Sequence, residues 1–123
     1  MAFTISNSSG LLKSYPSGAR ETSKSFSAAV GGLDLDNLST VQVPTGAVAQ
    51  VVPMPVDGMV AAVLYLRTDH DLTVFLSGST TPFTLKGNGY LLLLGCAVSS
   101  ISVSNLTSGS AASLEVYVAG PAS

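Results

Sequence analysis

From Leu33 onward the chain alternates between short runs rich in Val, Leu, Ile and Thr and breaks made of Gly, Pro, Asn and Asp at fairly even spacing. Such spacing predicts an all-β sandwich or barrel. The runs are Thr40–Val43, Ala47–Pro53, Met59–Thr68, Leu72–Ser77, Pro82–Lys86, Tyr90–Leu94, Ser99–Asn105 and Ser113–Ala119. Between them lie Pro44-Thr45-Gly46, Val56-Asp57-Gly58, Gly78-Ser79, Gly87-Asn88-Gly89 and Ser108-Gly109, and the Asp-Gly and Asn-Gly pairs accept the positive φ of tight turns. Ile101, Val103 and Asn105 alternate with Ser100, Ser102 and Ser104, as Leu114, Val116 and Val118 do with Glu115, Tyr117 and Ala119. Each run reads as a strand with one buried and one wet face, and the two read as sheet neighbours. Asp36-Asn37-Leu38-Ser39 could cap one short helical turn, but no window shows helical apolar spacing, so little helix is expected.

Residues 1–30 differ from the rest: NSSGLLKSYPSGARETSKSFSAA is polar, is broken by Gly10, Pro16 and Gly18, and holds Lys13, Arg20 and Lys24. It has too few apolar residues to form a layer alone. We read 1–30 as an extended polar arm, anchored on a neighbouring subunit by Phe3, Ile5, Leu11, Leu12, Tyr15 and Phe26, and 31–123 as the β-sandwich or jelly-roll-like domain. Within that domain TLKGNGYLLLLG sets four leucines after a turn signal. The turn reads as a hairpin, with Leu92 and Leu94 facing the core. Leu91 and Leu93 are then expected to be covered by another subunit or by the arm, because an apolar patch is otherwise exposed. The expected core is Val41, Val43, Val51, Val60, Ala62, Leu64, Leu66, Leu72, Val74, Leu76, Phe83, Leu85, Leu92, Leu94, Ile101, Val103, Leu114, Val116 and Val118.

Composition adds one point to this pattern. The 123 residues are 46% apolar but only 10% charged, well below the ~25% of an average domain. A free monomer is normally dispersed by a charged shell, so a surface of hydroxyls suits a protein covered by partners and suggests a homo-oligomer. The net charge is −2 and the five basic residues are scattered, so direct nucleic-acid binding is not expected. The start of the chain lacks a signal-peptide pattern, and its apolar runs are too short to cross a bilayer as helices. The N-x-S/T matches at Asn7, Asn37 and Asn105 are read as chance in a Ser/Thr-rich chain.

Candidate chemistry is sparse. Asp69-His70-Asp71 could bind a divalent cation if all three turned inward, but a polar turn between strands is the preferred reading. Asp34 and Asp36 would lie on one side of an extended chain, where like charges protect a strand edge more simply than they perform acid–base work. The one histidine, His70, the one cysteine, Cys96, and the lack of a nucleophile-elbow motif give no basis for a hydrolytic triad. The expectation is a non-enzymatic protein with no metal or cofactor.

The runs Val51-Val52-Pro53-Met54-Pro55, Met59–Leu66, Asp71–Gly78 (DLTVFLSG), Phe83–Gly89 (FTLKGNG), Ile101–Asn105 (ISVSN) and Leu114–Gly120 (LEVYVAG) resemble, in order and spacing, small β-sandwich virion proteins of tailed bacteriophages. The resemblance covers about the C-terminal two thirds. It implies a structural virion part, foremost a capsid decoration (cement) protein. Such a protein would be a trimer clamping the major capsid protein, located in a virion assembled in the host cytoplasm. A tail, head–tail junction or fibre-base component is the alternative, since the fold recurs at several virion positions. A carbohydrate-binding receptor module is a further one, weakened by the absence of Trp.

Overall fold

A computed structural model describes residues 2–14, 20–54, 59–77, 81–106 and 109–121, with the backbone alone described in 9–14 and 20–26. The described residues form ten strands and no helix: β1 (Phe3–Ser14), β2 (Arg20–Leu33), β3 (Leu35–Val43), β4 (Gln50–Val51), β5 (Ala61–Thr68), β6 (Leu72–Leu76), β7 (Phe83–Leu85), β8 (Tyr90–Val98), β9 (Ile101–Ser104) and β10 (Ala112–Gly120). All described pairings are antiparallel. Two four-stranded sheets, ordered β3-β10-β5-β8 and β4-β9-β6-β7, enclose the main core, and β1 and β2 form a separate ribbon. The chain is an all-β sandwich with an extended N-terminal arm.

The serine-alternating run and the valine-alternating run each bury the predicted face. They are not neighbours, however. β9 pairs with β4 and β6, while β10 lies between β3 and β5 in the other sheet, so Ile101 and Val103 meet Leu114, Val116 and Val118 through the core. Alternation shows that a strand has a buried face and does not say which sheet it joins. The apolar surface buried by each such Leu, Val or Ile contributes about 1.5–3 kcal/mol. Where a helical turn was conceivable, at Asp36–Ser39, the chain instead continues β3 back to Leu35.

The leucine run corrects the sequence reading. β5 and β8 pair Leu66 with Leu91, Tyr65 with Leu92, Leu64 with Leu93 and Val63 with Leu94. Directly opposed residues share a face. Leu91 and Leu93 therefore pack on the main core with Leu64 and Leu66, and Leu94 packs on the opposite side with Val63. The assignment of Leu92 and Leu94 to the interior is reversed by one residue, which in a strand exchanges the two faces. A bulge sets this phase: Ala61 opposes Val98 and Val63 opposes Leu94, with Gly95 at φ +83° taking up the extra length on β8. The same bulge places Ala62 on the outer side and leaves Val60 exposed. Val51 is exposed as well, because the two-residue β4 turns Val52 inward instead.

The Gly87-Asn88-Gly89 turn is not a hairpin. Gly89 N donates to Lys86 O at 2.8 Å and Asn88 has φ +66°, the positive third position of a type II turn. Yet β7 pairs with β6 and β8 with β5, so the turn carries the chain from one sheet to the other. The Val56-Asp57-Gly58 and Gly78-Ser79 turns and Ser108 lie outside the described residues.

In the arm, β1 and β2 pair with each other from Phe3↔Leu33 to Ser14↔Arg20. Between Leu33 and Val30 the ribbon accommodates one extra residue at Gly31-Gly32, with Gly32 at φ +71°. Phe3, Ile5, Val30 and Leu33 form a second core with Val63, Ala119, Leu94 and Tyr117 on the outer face of the β3-β10-β5-β8 sheet. At the opposite side of the fold, the fully buried Asn105 joins three segments. Its Nδ2 donates to Val43 O at 3.0 Å and to Ser110 O at 2.8 Å, and its backbone N donates to Ala47 O at 2.9 Å.

Candidate functional site

Asp69-His70-Asp71 forms the connection from β5 to β6, and its carboxylates accept from the backbone of strand β10 and of the Lys86–Gly89 turn. Asp69 Oδ1 accepts from Ser113 N at 2.8 Å and lies 2.9 Å from His70 Nδ1. Asp71 Oδ1 accepts from Gly87 N at 2.8 Å, and its Oδ2 accepts from Lys86 Nζ at 3.2 Å. Asn88 N donates to Thr68 O at 2.7 Å, which closes the same cluster. Both carboxyls are held below their ordinary value, Asp69 chiefly by the Ser113 N–H and then by His70, Asp71 chiefly by the Gly87 N–H and then by Lys86. Among the described residues no group of three His, Cys, Asp or Glu side chains is placed to hold a metal ion. Asp69 beside His70 matches two parts of a hydrolytic triad. Cys96, the one thiol, lies elsewhere and donates to Ala61 O at 3.3 Å, and burial raises its pKa.

Above this cluster the outer face of the β3-β10-β5-β8 sheet carries a shallow depression of about 220 Å³. Thr40, Arg67, Thr68, Ser113 and Glu115 line it from the strands, and Asp69 and Asn88 from the turns. Strand register builds the row: Thr40 opposes Glu115, Glu115 opposes Arg67, and Arg67 opposes Tyr90. The next row is Leu38, Tyr117, Tyr65 and Leu92. The Tyr65 and Tyr90 rings sit 6.3 Å apart at 35°, with Tyr90 64% exposed. Tyr117 Oη donates to Asp36 Oδ2 at 3.0 Å, and burial, then that bond, raises its pKa. Three tyrosines thus share one face with both signs of charge. The sequence placed each of them in a strand. That they meet depends on how β5, β8 and β10 are paired, which no local pattern encodes.

The residues expected to make intersubunit contacts fall in two groups. Phe3 and Ile5 are half-buried in the second core of their own chain. Leu11, Leu12 and Phe26 lie on the ribbon opposite Lys24, Ser23 and Ser9, and Tyr15 is outside the described residues. Leu91 and Leu93 pack against the main core, so their expected exposure to a partner on the outer face is corrected by the register of β8.

No family model and no curated protein sequence matches the chain. Among solved structures, the Schizosaccharomyces pombe Cnp3 cupin domain is similar at 15% identity, over 94% of this chain and 83% of that one, with a TM-score of 0.46.

Proposed function

We propose that the chain is a non-enzymatic phage virion structural protein of the capsid-decoration type, acting as a homo-oligomer whose N-terminal arm docks on the major capsid protein or on a neighbouring copy. The observation that carries this reading is the ribbon. Its packing on the sandwich involves Phe3, Ile5, Val30 and Leu33 at the base, while β1 continues from Ile5 to Ser14, roughly 30 Å at the rise of a strand. Each ribbon strand pairs only with the other within the described residues, which leaves each one edge for pairing with another chain. The virion setting is supported by the order of the sequence motifs.

The mechanism is mass action. A protein that binds the assembled lattice and not its separated subunits stabilises the lattice, and many equivalent sites multiply a modest contact. Heads depleted of the protein should release DNA at a lower temperature than complete heads, and adding back a chain lacking residues 6–28 should not restore them. Depleted heads as stable as complete ones would exclude the cement role. Copy number separates the tail or neck alternative: hundreds per particle for decoration, about a dozen for a ring.

The tyrosine face favours a second reading, a carbohydrate-binding receptor module. Sugars stack on aromatic rings, and their hydroxyls pair with donors and acceptors alike, as Arg67, Asn88 and Glu115 offer beside Tyr65 and Tyr90. Binding on a glycan array that is lost in Tyr90→Ala supports it, and a silent array removes it.

A further inference from the structure

β8 occupies a position that its sequence does not suit. Strands apolar on both faces belong in sheet interiors. β8 turns Leu91 and Leu93 to the main core and Leu92 and Leu94 to the other face, yet it is the last strand of its sheet, and all four leucines remain half-buried. The other three sandwich edges are blunted. β4 has two residues, β7 has three, and β3 carries Asp36, Asn37 and Gln42. β8 runs for nine residues without a charge. Long uncharged edges are what monomeric proteins avoid.

We infer that β8 is a self-association strand whose occupant is β8 of a second copy, paired antiparallel about a two-fold axis. The required partner is a strand apolar on both faces with an open edge, and among the described strands β8 alone meets both conditions. The ribbon strands would set Ser, Asn, Thr or Lys against the leucines. For both inner faces to stay on one side, the axis must pass at a residue and not between two, since a one-residue slip exchanges faces. Centring on Leu92 opposes it to Leu92 of the partner subunit, Leu91 to the partner's Leu93 and Tyr90 to the partner's Leu94. The Gly95 bulge limits regular pairing to Tyr90–Leu94. The product is one continuous eight-stranded sheet that ends on two β3 edges, and Asp36 on each discourages further growth. An isologous contact of this kind closes as a dimer or an even-numbered assembly, in contrast to the trimer expected from sequence.

The pairing names the self-contact of the homo-oligomer proposed above and rests on that reading only to that extent. Its test uses the isolated full chain, so failure here is read separately from failure of capsid binding. Sedimentation velocity over a concentration series should give a dimer for the wild type. Leu92→Lys places two like charges opposite each other at the axis and should give a monomer. Leu92→Thr, which keeps a strand-forming residue, should raise the dimer dissociation constant at least about tenfold, and it decides the matter if the lysine variant does not fold. In a Cys96→Ser background, Leu92→Cys should cross-link between copies with a short bismaleimide. Native Cys96 should not, because the two copies' residues 96 would lie roughly 25 Å apart. A wild-type monomer across the series, a trimer, an oligomer indifferent to both Leu92 variants, or cross-linking through Cys96 would overturn the inference.

Discussion

Removing the Asn105 carboxamide tests whether one buried polar side chain holds the loop end of the sandwich together. Asn105→Ala leaves the carbonyl of Val43, in the buried interior, and that of Ser110, in a part-buried position, without their side-chain donor. An unsatisfied buried polar group costs about 1–3 kcal/mol, with the lower end applying where water can reach it. About 2 kcal/mol for Val43 and about 1 kcal/mol for Ser110 make a loss near 3 kcal/mol, a large part of the ~5–15 kcal/mol that stabilises a typical domain. For a chain of this size the melting midpoint should fall by roughly 10 °C, with the urea midpoint falling in proportion and the m-value unchanged. Asn105→Asp keeps the shape but aims a carboxylate at two carbonyl oxygens. Its pKa is then raised in the folded state, so this variant is least stable at neutral pH and recovers as pH falls. A loss below about 0.5 kcal/mol in Asn105→Ala would refute the reasoning, since that is the range of ordinary surface substitutions.

Gly120→Ala should destabilise the fold by about 1–3 kcal/mol or more in chemical denaturation, because the added Cβ would meet Val60 O at 2.6 Å and the Met59 side chain. Asp69 and Asp71 have depressed folded-state pKa values, so their stabilisation is complete above the ordinary value of 3.8 and is lost as pH falls through the lower folded values. Melting curves from about pH 6 to about pH 2 should therefore drop most steeply below about pH 4, and Asp69→Asn with Asp71→Asn should flatten that drop. Cys96 should react with a thiol reagent more slowly in the folded chain than in the urea-unfolded one, since burial raises its pKa and its Sγ–H is bonded to Ala61 O. Equal rates would remove that account.

Turn chemistry and two-residue alternation were legible in the chain itself. They place strands at Leu72–Ser77, Ser99–Asn105 and Ser113–Ala119, where the structure has Leu72–Leu76, Ile101–Ser104 and Ala112–Gly120, name the buried faces of the last two, and put Asn105 on the buried side. They also mark Asp69–Asp71 as a connection between strands, although not the backbone N–H groups of Ser113 and Gly87 that the two carboxylates accept, which come from 44 and 16 residues away. Where alternation was absent, the sequence was silent. In YLLLLGCAV both faces are apolar, so periodicity fixes no phase, and the bulge at Gly95 together with pairing to β5 decides that Leu91 and Leu93 face the core. The ribbon was hidden for a related reason: its strands are too polar to announce themselves, and they pair with each other over their full length, with apolar anchors near the base at Phe3, Ile5, Val30 and Leu33. Local sequence determines where a strand can form and which of its sides is wet. Only tertiary structure decides which strand lies beside it, because strand neighbours are chosen by packing between segments distant in the chain. The tyrosine face and the open β8 edge both arise from that choice.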